Sequence, residues 1–370
     1  MTDPDIPALS SLVLLGTLGT TFLLGLLMSW GRFCTMGALS DVVNIGDWTR
    51  MRMWLMAIGV AVAGTQLLGA SGLIALEKSF YTAPRFTWLS YLTGGALFGF
   101  GMVLASGCGV RTLLRIGGGS LKALVVFLVM GLFAYMTLKG LFAVPRVEWL
   151  ERAAIELPRG QDLPRLLAES APTINLLRLV LGLGIGALLG LFALRDSAMR
   201  APANLFASLG VGLGVCAVWY LSGHVGYVAE DPDTLQERFL ATNSGRMESL
   251  SFVGPAAFTL DWLMLWSDRS RVITLGIASA LGVTAGALAW SLVTRSFRWE
   301  GFSSTRDTAD HLVGGAMMGV GGVIAMGCTV GQGISGLSTL SIGSLLAFVG
   351  IVVGARAGFH FQMARIARLN

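Results

Sequence analysis

Three of the four cysteines in this chain stand where an apolar run breaks into glycine and polar residues. They occur in Gly31-Arg32-Phe33-Cys34-Thr35-Met36-Gly37, in Ser106-Gly107-Cys108-Gly109-Val110-Arg111 and in Gly327-Cys328-Thr329-Val330-Gly331-Gln332-Gly333. A neutral thiol is a small, polarisable group with a weak S–H donor, whereas a thiolate is a nucleophile and a soft metal ligand. Spacing favours the first chemistry. There is no CxxC pair and no Cys/His cluster at ligand spacing, so zinc, iron–sulfur and haem sites are poor readings, and neither a metal nor a cofactor is expected. The fourth cysteine, in Gly214-Val215-Cys216-Ala217-Val218, lies mid-run and reads as a small buried hydrophobe.

Two of these breaks are copies of each other. Residues 91–110 read YLTGGALFGFGMVLASGCGV and residues 311–330 read HLVGGAMMGVGGVIAMGCTV. Gly94/Gly314, Gly95/Gly315, Gly99/Gly319, Gly101/Gly321, Gly107/Gly327 and Cys108/Cys328 share an offset of 220. After four extra residues in the second copy the match resumes, Gly119-Ser120-Leu121 against Gly343-Ser344-Leu345. The repeated unit is therefore an apolar helix, a cysteine at its end, a glycine-rich break and a second apolar helix.

The elements that position these breaks are membrane helices. The chain is 54% hydrophobic and 13% charged, with 50 glycines and a mean hydropathy of +0.72, outside the range of a soluble domain. Runs long enough to cross a hydrocarbon core of about 30 Å fall at 11–30, 54–76, 89–107, 121–144, 174–194, 203–221, 272–293, 311–327 and 344–361. The stretch 250–266 contains Pro255 and Asp261 and reads as interfacial. The first run has no basic n-region or small-residue cleavage site, so it reads as a retained helix. With the amino terminus outside, the inner loops hold 13 Lys/Arg in 66 residues and the outer loops 10 in 89, the expected inward bias. An odd number of spans makes the two cysteine units inverted relative to each other. The expectation is an all-α polytopic membrane protein of about nine helices, a single integral membrane domain over 1–370. Its two inverted repeats, 9–145 and 203–370, would be joined by 146–202, with the helix breaks meeting at a central pathway.

Irregular backbone at membrane depth is tolerated only where it is buried in protein or lines a cavity. The helix that resumes after a break points free N–H groups and its positive dipole end at that cavity, where an anion is favoured. Candidate pathway residues are therefore Cys34, Cys108 and Cys328, the flanking Gly107, Gly109, Gly327, Thr329, Gly331, Gln332 and Gly333, and Arg32 and Arg111 at the inner mouth. The glycines also serve close helix packing, and arginine at a cytosolic helix end is an ordinary topology signal. The outer Gly245-Arg246 echoes Gly31-Arg32 and makes Arg246 a counterpart of Arg32. The net charge of +5 is spread over short loops with no arginine-rich face, so no nucleic-acid partner is expected.

At Gly31-Arg32-Phe33-Cys34, Ser106-Gly107-Cys108 and Gly327-Cys328-Thr329-Val330-Gly331-Gln332-Gly333-Ile334-Ser335-Gly336 the chain resembles the YeeE/YedE sulfur-transport family. The resemblance implies a multi-pass protein of the bacterial inner (cytoplasmic) membrane, with nine helices in inverted repeats. It implies thiosulfate uptake past three cysteines, here Cys34, Cys108 and Cys328, and a TusA-like cytosolic sulfurtransferase as a partner. Two outer insertions, near 148–172 and 224–250, depart from the shorter members and leave other sulfur or selenium species open as substrates. A membrane thiol sulfurtransferase or oxidoreductase is the alternative from another class. It normally needs a resolving cysteine nearby, which the wide spacing does not offer.

Overall fold

The computed structural model describes residues 6–232 and 235–368. Its principal helices are α1 (Ile6–Trp30), α2 (Thr35–Asn44), α3 (Thr49–Ala70), α4 (Trp88–Leu104), α5 (Gly109–Gly117), α6 (Leu121–Lys139), α7 (Ala171–Leu194), α8 (Pro202–Tyr220), α9 (Gly254–Met264), α10 (Leu275–Val293), α11 (Thr305–Ile324) and α12 (Ile342–Ala367). The strands among the described residues form two short antiparallel ladders, Arg85–Phe86 on Ile155–Glu156 and Tyr227–Val228 on Arg238–Phe239. They tie down the two long connections, and the face carrying these is called outer here, following the Lys/Arg bias.

Eight helical stretches among the described residues are long and apolar enough to cross a membrane, and the chain is an all-α polytopic membrane protein. The sequence gives nine runs; the difference is the run at 311–327. It is helical as α11, but the first turns of α11 carry Arg306, Asp307, Asp310 and His311, which dilute its apolar character. α11 packs directly against α4 and α6, two of the eight. α9, inside the 250–266 stretch, has 11 residues, too few to span at about 1.5 Å of rise per residue.

Helix partners are exchanged between the two halves of the chain. α1 lies against α10 as α8 lies against α3, and α4 lies against α12 as α11 lies against α6. Glycine makes the approach possible, since helices in lipid associate through close van der Waals contact. A Cβ at Gly95 would fall 2.4 Å from Ala347 O and one at Gly99 2.1 Å from Ile351 O. One at Gly315 would fall 3.3 Å from Val126 O, and one at Gly319 2.4 Å from Met130 O. These glycines are related by 220, while Ala347 and Ile351 stand 221 after Val126 and Met130.

That register corrects the sequence match beyond the breaks. The second copy carries one extra residue, not four, and Ser341, the residue before α12, corresponds to Ser120 before α6. The extra residue lies between Cys328 and Ser341. There Gly331–Gly336 forms a π-helical turn where the first copy has the α-helical α5, and a π turn is how a helix takes up one inserted residue. α4 and α11 cross antiparallel: a Cβ at Gly94 would meet Ala325 N at 2.4 Å, and one at Gly314 would meet Ala105 N at 2.6 Å.

Candidate functional site

All three helix breaks use the same stop. The residue two before each cysteine takes left-handed backbone, Arg32 at φ 51°, Ser106 at 56° and Met326 at 56°. The residue immediately before each cysteine donates its N–H back five positions, Phe33 to Met28 O at 3.0 Å, Gly107 to Met102 O at 2.9 Å and Gly327 to Gly322 O at 2.8 Å. This is the Schellman arrangement, built on non-glycine residues at a cost of roughly 1–2 kcal/mol each. Cys34 and Cys108 then stand in extended backbone before α2 and α5, and Cys328 stands three residues before Gly331 of the π turn. Cys34 Sγ accepts the Gly37 N–H at 3.3 Å and Cys328 Sγ accepts the Gly331 N–H at 3.4 Å. Cys108 Sγ faces the Arg111 amide in the same way but outside full hydrogen-bond geometry.

The structure brings the three thiols together in series. Cys34 lies within electrostatic reach of Cys108 and Arg111, and Cys108 within reach of Cys328. Cys108 and Cys328 are 0% exposed and Cys34 is 8% exposed. The Thr329 hydroxyl of the second break approaches Cys108, yet makes no hydrogen bond of good geometry. Cys216 is elsewhere, its Sγ packed on α3 at 3.7 Å from Ala61 O.

Cavities lie on both sides of this buried series. The inner one, of about 610 Å³, is lined by Arg32, Arg111 and Arg115 together with Trp30, Ser120, Trp290 and Glu300. Arg115 pairs with Glu300 at 3.3 Å, and Lys122 holds the same carboxylate at 2.6 Å. Arg32 and Arg111 form no ion pair among the described residues. The outer cavity, of about 470 Å³, reaches Met326 and Gly327 beside Cys328 and is lined by Tyr81, Arg85, Arg146, Glu151, Glu248 and Ser251. Its two arginines are both engaged by Glu151, Arg146 at 2.6 Å and Arg85 at 3.7 Å.

The remaining residues singled out in the sequence fall around the thiols. Gly107 packs against the Arg111 side chain, Gly109 lies under Phe252, and Gly331 leaves room for Ser251 Oγ and Tyr81 OH, 2.8 and 3.2 Å from where its Cβ would be. Gly333 abuts Trp54, 2.9 Å from the corresponding point. Gln332 is fully buried; its Nε2 donates to Ala325 O at 2.6 Å and its Oε1 has no hydrogen-bond partner. Arg246 does not line the outer cavity; Arg85 and Arg146 are the cations there. Tyr81, Glu248, Ser251 and Phe252 escaped the sequence reading. They come from outer connections without periodicity, and the one signal was the small polar run Ser249-Leu250-Ser251 between apolar stretches.

Buried helix breaks between two cavities, in a chain of membrane-crossing helices, define a membrane transport protein. The sequence pattern of the sulphur transport family spans residues 30–357, and the chain belongs to that family, which groups it with transporters and not with enzymes. It is 26% identical over 340 residues to the thiosulfate transporter TsuA of Escherichia coli (strain K12), covering 90% of each chain. It is 25% identical over 343 residues to the thiosulfate transporter TsuA of Spirochaeta thermophila, covering 90% of this chain and 94% of that one.

Proposed function

We propose that this protein carries thiosulfate into the cytoplasm of a bacterium across the inner membrane, along a route formed by Cys34, Cys108 and Cys328. The observation that carries this reading is the buried series of three thiols between two cavities. Thiosulfate is a dianion with a polarisable terminal sulfur. A thiol whose sulfur lone pair takes a backbone N–H keeps its S–H free to donate, as at Cys34 and Cys328. Such donors are weak, and conduction needs binding that also permits release. Arg32 and Arg111, without carboxylate partners, favour an anion at the inner end. The exchanged helix partners and antiparallel α4/α11 crossing support inverted repeats, 9–145 and 203–370, rocking about the thiols. A TusA-like sulfurtransferase at the inner face would collect the product. The test is uptake of isotopically labelled thiosulfate, sulfite, sulfide and selenium oxyanions by a strain lacking its own importers. Uptake of labelled thiosulfate that depends on the three cysteines is the expected result; uptake of another species in preference to thiosulfate overturns the assignment.

A further inference from the structure

An energised cell keeps its interior electrically negative, so importing a dianion is uphill by two charges and lowers the attainable inside-to-outside ratio many-fold. Accumulation therefore requires positive charge to move with the anion. Given the thiosulfate reading above, we infer that Glu248 carries a coupling proton: protonated, it lets the anion occupy the outer cavity, and ionised, it repels it.

Three observations place this role on Glu248. It lines the outer cavity, and it lacks a counter-cation. Its carboxylate accepts the Ser244 N–H at 2.7 Å and forms no ion pair among the described residues, whereas Glu151 in the same cavity holds Arg85 and Arg146 and Glu300 in the inner cavity holds Arg115 and Lys122. It also stands at the head of a string of groups bearing exchangeable protons. Tyr81 lies within electrostatic reach of both Glu248 and Cys328, its hydroxyl packed with Ser251 Oγ over Gly331, and Cys328 is followed inward by Cys108 and Cys34.

The surroundings leave the carboxyl free to titrate. From the α3–α4 connection it is faced by Tyr81 and Arg85, while the Lys78 amine turns away to Glu237 and Tyr227. From the α6–α7 connection come Arg146 and Glu151, already paired. His224 beyond α8 binds Leu73 O, and Arg246 on the same segment does not line the cavity. Burial pushes the Glu248 carboxyl up from the usual carboxylate range, against the hydrogen bonds from Ser244 and Asn243. The balance is simple: outer water gives Glu248 a proton, Tyr81 receives it while passing its own inward, and one proton reaches inner water with each anion. No oxidation or reduction occurs.

Liposomes holding the purified full chain, with radiolabelled thiosulfate as the probe and a trapped pH dye, test this. Wild type should accumulate label when the outside is acidic, the steady-state ratio rising about tenfold per pH unit for one proton per anion, and the interior should acidify as label enters. Glu248→Gln, which resembles the protonated group, should still exchange labelled for unlabelled thiosulfate but lose gradient-driven accumulation and acidification. Glu237→Gln, an exposed carboxylate on the neighbouring hairpin, should keep both. The proposal is overturned if wild-type exchange ignores the gradient, if Glu248→Gln still accumulates label, or if it neither accumulates nor exchanges. Absence of any thiosulfate exchange by wild type would instead remove the thiosulfate reading, and the coupling role with it.

Discussion

The Cys108 and Cys328 breaks share one backbone plan and differ in what surrounds it. Both begin with the same stop, both place a buried thiol at the cap, and both are entered by glycine-rich helices that grip each other reciprocally. At the offset of 220, Gly109 of the first corresponds to Thr329 of the second, and Arg111 to Gly331. The first break thus sends a guanidinium into the inner cavity. The second presents a hydroxyl toward Cys108 and leaves a gap into which Tyr81 and Ser251 pack from outer connections. Thiol and backbone geometry are common to the two halves, and charge is not. On the proposed route, such units would give equal sites at the centre and unequal mouths, with direction set by the flanking residues and conduction by the cysteines.

The largest effects should therefore come from the shared part. Cys108→Ala and Cys328→Ala should each lower thiosulfate uptake about a hundredfold, the loss of a transition-state contribution of roughly 3 kcal/mol, with membrane insertion intact. Cys34→Ala, nearer the inner mouth, should be severely impaired. Cys216→Ala removes only packing on α3 and should stay close to wild type. Uptake by purified variants at matched membrane levels measures all four, and a dead Cys216 variant beside an active Cys108 variant would contradict the shared-site view.

How much of this the sequence discloses follows from the same contrast. The glycine spacing and the cysteines are legible because they repeat, and the arginines that line the inner cavity because they stand beside the breaks. The register after the breaks is not, because Gly343-Ser344-Leu345 resembles Gly119-Ser120-Leu121 while the packing of Gly95 and Gly99 fixes α12 three residues away from that match. A one-residue insertion taken up as a π turn leaves no periodic trace. Tyr81, Glu248 and Ser251 are equally silent, since tertiary contact alone brings outer connections onto Gly331. Arg246 shows the opposite error, a local echo of Gly31-Arg32 that the fold does not use.

The unequal mouths predict smaller, distinguishable losses. Gly331→Ala puts a methyl 2.8 Å from Ser251 Oγ, so it should push Ser251 and Tyr81 aside and reduce uptake by about tenfold at near-normal stability, a change of about 1.4 kcal/mol. Arg111→Gln, at the corresponding position, introduces no clash and removes an unpaired cation. It should raise the concentration of thiosulfate needed at the inner face about threefold and weaken the dependence on ionic strength, since unpaired charges near water are screened by salt. Efflux from preloaded vesicles of known orientation separates the two: the Gly331 variant should be slow in both directions, the Arg111 variant mainly from inside.

The subtlest difference lies where the second helix of each unit begins. Ser120 bridges to Glu300 and Ser341 bridges to Asp162, one acidic partner at each face. Burial works against ionised Glu300, but Lys122 and Arg115 flank it and hold its carboxyl below the usual carboxylate range. Asp162 is 1% exposed, neither of its oxygens has a hydrogen bond, and Arg178 stands 3.6 Å away; burial pushes its carboxyl up to about 6 despite Arg178 and Arg165. A carboxyl whose folded pKa is raised favours the folded state when protonated, so its contribution is present at low pH and is lost as pH rises from the unfolded value of 3.8 through about 6. The full difference is of order 3 kcal/mol. Amide-exchange protection around 161–168, corrected for the intrinsic rate, should therefore fall between about pH 4 and 6 and level off above, while protection around 119–122 stays flat. In Asp162→Asn both segments should be insensitive to pH. Loosening at the inner segment instead, or in both, would mean that the two helix starts are alike after all and that the asymmetry of the mouths stops at Arg111 and Gly331.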